Sequence, residues 1–124
     1  MKALYDKVSY DLSKSLTQSY STSFSLGIRF LAPELRDPIY AIYGFVRLAD
    51  EIVDTFHDYD KEKLFLRFKE NVDLALEERI SVNPLLNSFQ EVVHKYNIER
   101  ELIDAFLYSM GMDLNKKDYD REDF

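Results

Sequence analysis

The stretch PIYAIYGFVRLADEIVD, residues 38–54, predicts a long helix because its apolar side chains recur at intervals of three and four. It carries Tyr43, Arg47, Asp50 and Asp54 at spacings that place all four on one narrow helix face, here called the polar stripe. The flanking positions are apolar and favour burial: Ile39, Ile42, Val46, Ala49 and Val53 on one side, and Ala41, Phe45, Leu48 and Ile52 on the other. A polar stripe between two such flanks is not an ordinary solvated face, so we expect it to line an internal cavity.

Composition limits the function classes. The chain has 124 residues, 46% of them hydrophobic and 15% aromatic, which suits one domain with a core. It contains no cysteine and two histidines, so disulfides, thiolate catalysis and Cys-ligated metals are excluded and any metal must be held by oxygens. A net charge of −7 argues against nucleic-acid binding, because that affinity comes largely from Lys and Arg neutralising phosphates.

The sequence also bears on location. No apolar run approaches the roughly 18 residues that a membrane-spanning helix needs. The first residues, MKALYD, lack the apolar block of a signal peptide. We therefore expect a cytoplasmic protein.

The pattern predicts an all-α fold, because three glycines, three prolines and apolar periods of three to four favour helices throughout. Five helices are expected, over about 3–20, 38–56, 60–79, 84–96 and 99–114. Pro33 suits the first turn of a short helix, and Asp37-Pro38 is a start signal for the long helix that follows it, while Asp60 and Asn83 are expected caps for the third and fourth. Residues 19–25 are interpreted as a helix end or turn, and residues 115–124 as a charged segment without an apolar helix of its own.

The predicted helices have recognisable apolar rows. The first carries Leu4, Val8, Leu12 and Leu16 at steps of four. The inward residues expected in the later helices are Leu64, Phe65, Phe68, Val72 and Leu76 in the third, Leu85, Phe89, Val92 and Val93 in the fourth, and Leu102, Ala105, Phe106, Ser109 and Met110 in the fifth.

Asp50 and Asp54 lie one helical turn apart, so their carboxylates can reach one or two hard cations together. Because Mg²⁺ is typically held by one or two carboxylates with water and phosphate oxygens, the pair is a candidate half of a diphosphate site. The alternative is a pair of solvent-facing acids, which is the commoner arrangement. Against it, like charges at this spacing destabilise a helix slightly, and the helix dipole disfavours Asp54 near the C-terminus. Glu51 lies about a quarter turn away and is a candidate supporting group.

The other stripe residues have two interpretations each. Arg47 either forms an intrahelical ion pair with Asp50 or binds a phosphate group. Tyr43 either is a core tyrosine with a hydrogen-bonded hydroxyl or lines the cavity.

Two further sites are equally open. Ser21, Ser23 and Ser25 either cap a helix and form a turn or donate hydrogen bonds to phosphate. Asp113 extends the predicted inward face of the fifth helix, where a buried carboxylate needs a partner, or else it reaches solvent at the helix end.

Six motifs occur in order along the chain: Ser21-Thr-Ser-Phe-Ser25, Ala41-Ile-Tyr43, Arg47, Asp50-Glu-Ile-Val-Asp54, Met110-Gly-Met-Asp-Leu114 and Tyr119. Together they resemble the N-terminal part of the squalene/phytoene synthase family, from about Tyr10 to the last residue. The resemblance implies an isoprenoid-synthase-type helical bundle that joins two isoprenyl diphosphates, such as farnesyl or geranylgeranyl diphosphate, head to head. It further implies Mg²⁺ as cofactor, NADPH only for a squalene-type product, and a peripheral membrane contact for product release.

The resemblance assigns roles to individual residues. They are Asp50 and Asp54 for metal binding, Tyr43 and Arg47 for catalysis and substrate binding beside them, Ser21, Ser23 and Phe24 for contact with the diphosphate, and Asp113 on a helix flanking the central cavity. No protein nucleophile is needed for such a reaction, which is consistent with the absence of cysteine.

The chain also departs from the family pattern. Family members are well over twice as long, their second aspartate-rich motif has no counterpart here, and Asp118 precedes Tyr119 where many relatives have arginine. We therefore expect residues 1–124 to be the N-terminal part of one domain, with little activity alone and with exposed apolar surface that a homodimer would cover. The alternatives are a non-catalytic family member in an interaction or assembly role, which should have lost residues such as Arg47, and a generic helical binding domain.

Overall fold

The computed structural model describes the backbone of residues 1–122 and the side chains of residues 1–114. It contains α1 (Lys2–Tyr20), α2 (Thr22–Ile28), α3 (Pro33–Asp54), α4 (Lys61–Glu78), α5 (Pro84–Tyr96) and α6 (Arg100–Glu122). No strand occurs in this part of the chain, so the predicted all-α class is confirmed. None of the described helices is long and apolar enough to cross a membrane.

Six helices stand where five were predicted, because the serine-rich segment is itself helical. Ser21 is extended, with φ −149° and ψ 95°, and its Oγ accepts a hydrogen bond of 3.1 Å from the Phe24 N–H. The side chain that ends α1 therefore caps α2. Of the two interpretations of this segment, a helix end or a turn, the helix end is correct, and a second helix follows it directly.

The second correction concerns the start of α3. It is one helix from Pro33, and Pro38, expected at a first helical position, lies inside it. Proline at that place removes only the bond to the Glu34 carbonyl, close to an end where several backbone groups are unpaired anyway. The short helix expected at Pro33 and the long helix that follows it are thus continuous.

The last helix is longer than predicted. α6 continues beyond Leu114 to Glu122, through the charged segment that was expected to have no apolar helix of its own. The side chains from Asn115 onward, including Tyr119 and the Asp118 that precedes it, lie outside the described part.

The predicted caps of α4 and α5 are confirmed. Asp60 Oδ1 accepts a hydrogen bond of 3.1 Å from Lys63 N, and Asn83 Oδ1 accepts bonds of 3.0 and 3.3 Å from Leu85 N and Leu86 N. Each is a side-chain oxygen that satisfies a helix-end donor.

The apolar core forms around α3, which packs against α1, α4, α5 and α6. Phe45 of α3 stacks on Phe89 of α5, with ring centroids 3.8 Å apart, and also contacts Phe68 of α4 and Phe106 of α6. The apolar rows predicted for α4 and α5 lie in this core or against its edge, except Leu85, which is half-buried. Phe45 therefore ties four helices together through one flank of the polar stripe.

α1 buries a polar face and not the apolar row that its leucines form. Leu4, Val8 and Leu12 are exposed, and the buried residues of α1 are small and polar. They meet polar residues of α5 in what we call the polar seam: Ser9, Ser13, Thr17, Asn87 and Ser88.

The polar seam is hydrogen-bonded within the chain. Ser13 Oγ and Ser88 Oγ are 2.7 Å apart, and Asn87 Nδ2 donates to Asp6 Oδ1 at 2.9 Å and to Ser9 Oγ at 3.2 Å. The small side chains let α1 approach α5 closely. Because the polar groups are hydrogen-bonded, their burial carries no large cost.

Candidate functional site

The polar stripe of α3 is half-open. Tyr43, Arg47 and Asp50 are half-buried, while Asp54 is exposed. Every flanking residue predicted to favour burial is buried or half-buried, so the flanks were predicted correctly. The stripe itself lies on an open face of the described chain and is not enclosed as expected.

A larger concave surface lies elsewhere in the described chain. It has a volume of about 660 Å³ and is lined by residues of α4, α5 and α6 and the turn between the last two, among them Asp73, His94 and Arg100. No stripe residue belongs to it, and Asp73 and Arg100 are paired with each other. The candidate site therefore rests on the chemistry of the stripe and not on cavity size.

Arg47 forms the intrahelical ion pair considered from the sequence, but with a different partner. Its Nη2 donates to Glu51 Oε1, four residues on, and not to Asp50. Hydrogen bonding to Glu51 raises the pKa of the guanidinium, and the charge of Asp50 acts in the same direction. Arg47 is thus fixed as a cation beside the two stripe carboxylates.

A ring and an unpaired donor complete the surroundings of Arg47. Its guanidinium carbon lies 4.6 Å from the centroid of the Tyr20 ring, within the range of a cation–π contact. Its Nε is buried and has no hydrogen-bond partner in the described chain. A donor that is shielded from water and left unpaired costs roughly 1–3 kcal/mol.

The short helix α2 reaches the stripe through one aromatic contact. The Phe24 and Tyr43 rings stack with centroids 4.9 Å apart at an interplanar angle of 26°. This contact brings the serine segment predicted to bind phosphate to the same side of the molecule as the stripe.

The three serines of that segment are not equivalent. Ser21 Oγ caps α2, Ser23 is exposed, and Ser25 is buried with an Oγ that has no partner among the described residues. Ser23 is therefore the hydroxyl most open to a ligand, whereas Ser21 takes the capping role, one of the two that the sequence left open.

The chemistry of the stripe carboxylates fits Mg²⁺. Asp50 and Asp54 present hard oxygen ligands on adjacent turns, the kind of donor that Mg²⁺ accepts together with water and phosphate. Among the described side chains, no three acids or histidines come close enough to form a complete metal site. The pair thus suits a partial shell that substrate oxygens complete.

Lys61 lies at the C-terminal end of α3, where Asp54 is the last residue. It is buried, and its Nζ donates a 2.9 Å hydrogen bond to the Val53 carbonyl. A cation at a helix C-terminus offsets the dipole that disfavours an anion there. Part of the compensating charge expected from a bound cation is therefore supplied by the chain itself.

Asp113 does not join the stripe. It is exposed, so of its two interpretations the solvent-facing one describes it. Leu102, predicted to face inward, is 63% exposed. The buried face of α6 is rotated from the predicted one and consists of Ile103, Leu107, Met110 and Leu114.

Two contributors were missed or only suggested by sequence reasoning. Glu51 was a candidate supporting group without an assigned partner, although its spacing from Arg47 favours an ion pair as well as that of Asp50 does. Tyr20 carried no signal, because its contact crosses from the end of α1 to α3.

Comparisons with known proteins show which family the chain belongs to. Residues 17–124 match the sequence profile of the Squalene/phytoene synthase family. The chain is 28% identical over 118 residues to a phytoene synthase of Cereibacter sphaeroides, an alignment covering 89% of this chain and 33% of that protein. It is 29% identical over 118 residues to a presqualene diphosphate synthase of Zymomonas mobilis, covering 89% of this chain and 38% of that protein.

The chain belongs to the squalene/phytoene synthase family, because the profile match extends over most of its length. It spans about a third of the length of the curated relatives it matches. All the residues of the polar stripe and the serine segment lie within the matched region.

Proposed function

We propose that this chain provides a Mg²⁺-dependent diphosphate-binding half-site of a head-to-head prenyl transferase. Family membership and relatives named phytoene synthase and presqualene diphosphate synthase support the reaction class. The observation that carries the proposal is the polar stripe, where two carboxylates stand beside an arginine with a buried, unpaired Nε. The substrates are isoprenyl diphosphates of the farnesyl or geranylgeranyl class, and NADPH takes part only if the product is squalene-like.

The chemistry of each stripe residue suits it to a different role. Asp50 and Asp54 hold Mg²⁺, which when bound neutralises diphosphate charge and favours departure of the leaving group. Arg47 donates to phosphate oxygens through the hydrogen atoms that Glu51 does not use. Tyr43 is anchored by Phe24 and orients its hydroxyl toward the same ligand.

The serine segment and the apolar flanks complete the proposal. The Ser21 and Ser23 hydroxyls lie on the segment that the Phe24 stack holds against α3, and they donate to the diphosphate. The apolar flanks of the stripe would help to keep water from the allylic cation that forms when diphosphate leaves, once another surface covers the open face of the stripe. Nucleophilic side chains are not required.

We infer that the chain alone has little or no synthase activity, because its described side chains include no group of three or more acids or histidines that could hold a metal. We also infer that it self-associates and contacts membranes peripherally, since Phe30, Leu26 and Leu12 are exposed. Light scattering tests the self-association, with a dimer as the expected result. The alternative, a non-catalytic assembly role, is the one to adopt if diphosphate binding is absent.

Titration calorimetry with inorganic diphosphate tests the proposal, in MgCl₂ and in EDTA. We expect binding that requires Mg²⁺ and that falls by about a hundredfold in Asp50→Ala/Asp54→Ala, because both metal ligands are lost. The matched control is Asp73→Ala/Glu77→Ala, which removes two exposed carboxylates at the same spacing on α4 and should bind like wild type. Equal binding by both double variants, or none by wild type, contradicts the proposal.

A further inference from the structure

We propose that Glu51, which lies outside the polar stripe, is a positioning residue that holds the Arg47 guanidinium ready for an anionic ligand, with the Tyr20 ring as a second support. The inference rests on the proposed function of the stripe, because it assigns Glu51 a role in that site. It concerns an interaction within the protein, and it can be tested with or without the ligand.

The burial of Glu51 is the first support. Glu51 is only 9% exposed, and its neighbours Ile52 and Val53 on α3 are buried apolar residues. A carboxylate taken out of water is costly unless it is paired and hydrogen-bonded. Its Oε1 accepts from Arg47 Nη2, so the pair explains why the acid is tolerated there.

The arrangement around Arg47 is the second support. Glu51 holds one Nη2 hydrogen bond, and Tyr20 lies 4.6 Å from the guanidinium carbon. These two contacts restrict both the direction and the plane of the group. A guanidinium fixed in advance loses less entropy when it binds a phosphate.

The unused donors of Arg47 are the third support. Nε is buried without a partner, and the Arg47 side chain is still 28% exposed. Glu51 therefore fixes the group without covering it, which leaves hydrogen-bond donors for an incoming anion.

Three variants separate position from charge. Glu51→Gln keeps the length of the side chain and an oxygen acceptor, Glu51→Asp keeps the charge but is one methylene shorter, and Glu51→Ala loses both. The control is Glu70→Ala, which removes an exposed acid from the middle of α4. Circular dichroism checks the fold of each, and the Gln and Asp variants keep the test valid if the Ala variant unfolds.

The first readout needs no ligand. The Nε–H resonance of Arg47, assigned by its loss in Arg47→Lys, should be resolved and protected from solvent exchange in wild type. We expect that protection to fall in Glu51→Asp and Glu51→Ala and to persist in Glu51→Gln and Glu70→Ala. An unchanged resonance in the Asp and Ala variants overturns the inference.

The second readout is calorimetric binding of inorganic diphosphate with Mg²⁺. We expect binding about tenfold weaker in Glu51→Asp and Glu51→Ala, and within about threefold of wild type in Glu51→Gln. In an Arg47→Ala background, Glu51→Ala should cause no further loss, because Glu51 acts through Arg47. Tighter binding by the Ala variant would show that Glu51 competes with the ligand, and overturns the inference.

The two readouts distinguish the failure of each claim. If wild type binds no diphosphate while the Arg47 resonance responds as expected, the proposed function fails and the positioning role is supported. If wild type binds diphosphate and no Glu51 variant differs from it, the proposed function stands and the positioning role is refuted.

Discussion

The polar seam between α1 and α5 and the polar stripe of α3 both place polar groups beside the core, but they differ in how completely those groups are hydrogen-bonded. In the seam, Asn87 and Ser13 pair with side chains of the facing helix. In the stripe, Arg47 has a buried Nε without a partner, and the nearby carboxylates are half-buried or exposed. The difference teaches that hydrogen bonds completed within the chain mark a structural polar group, whereas an incomplete set marks a candidate for ligand binding.

The largest expected effect on stability comes from breaking the seam. Asn87 is fully buried, and its amide bonds Asp6, Ser9 and the Ser81 N–H. Asn87→Ala should lower the free energy of unfolding by about 3 kcal/mol, because several buried groups lose their partner. Urea denaturation measures it.

The control for this variant is Asn71→Ala, which removes an exposed amide from α4. Its effect should stay within about 0.5 kcal/mol. A loss below about 1 kcal/mol in Asn87→Ala would mean that the seam is not the stabilising network described here.

The contact between α2 and the stripe should have an intermediate effect. Phe24→Ala removes the ring stacked on Tyr43, worth about 1 kcal/mol beyond the lost burial. Amides of residues 22–28 should then exchange with solvent about fivefold faster, as measured by hydrogen exchange. Phe30→Ala, which removes a ring that is 91% exposed, is the control and should leave that exchange unchanged.

The smallest effect is the pH response of the seam. The pKa of the Asp6 carboxyl lies below its ordinary value, chiefly because Lys2 donates a hydrogen bond to it, with a further bond from Asn87. A lowered pKa in the folded state adds stability above the ordinary value, and this is lost as the pH falls through the folded value. The stability difference between wild type and Asp6→Asn should therefore be present at pH 6 and shrink below about pH 4. A difference that stays constant in urea denaturation down to pH 2.5 would contradict this.

The helices were largely predictable, because their signals are local. Asp60 and Asn83 are caps followed by apolar periods, and both caps form as expected. The continuous α3 was not predicted, since Asp37-Pro38 is a strong local signal for a helix start, whereas Pro38 lies inside the helix in the structure. Packing of Phe45 against three other helices stabilises α3 well beyond the single lost hydrogen bond.

The buried face of α1 could not be predicted from α1 alone. Its leucines form the stronger apolar row, yet Ser9, Ser13 and Thr17 are buried. Ser9 and Ser13 pair with Asn87 and Ser88, which lie more than 70 residues away in sequence, so α1 alone carries no signal for this face. The partner of Arg47 was ambiguous for a different reason. Acids three and four residues on are both within reach, and the side-chain rotamer selects Glu51.

The central claim is that the stripe binds a ligand and the seam maintains the fold, and ligand-induced thermal stabilisation tests it most directly. The melting temperatures of wild type, Asn87→Ala and Asp50→Ala/Asp54→Ala should be measured with MgCl₂, with and without inorganic diphosphate. A ligand that binds only the folded state raises the melting temperature according to its affinity. We predict the same upward shift in wild type and Asn87→Ala, from different starting temperatures, and no shift in the double aspartate variant. A shift that persists in the double aspartate variant, or that disappears in Asn87→Ala while that variant is still folded, would contradict the account.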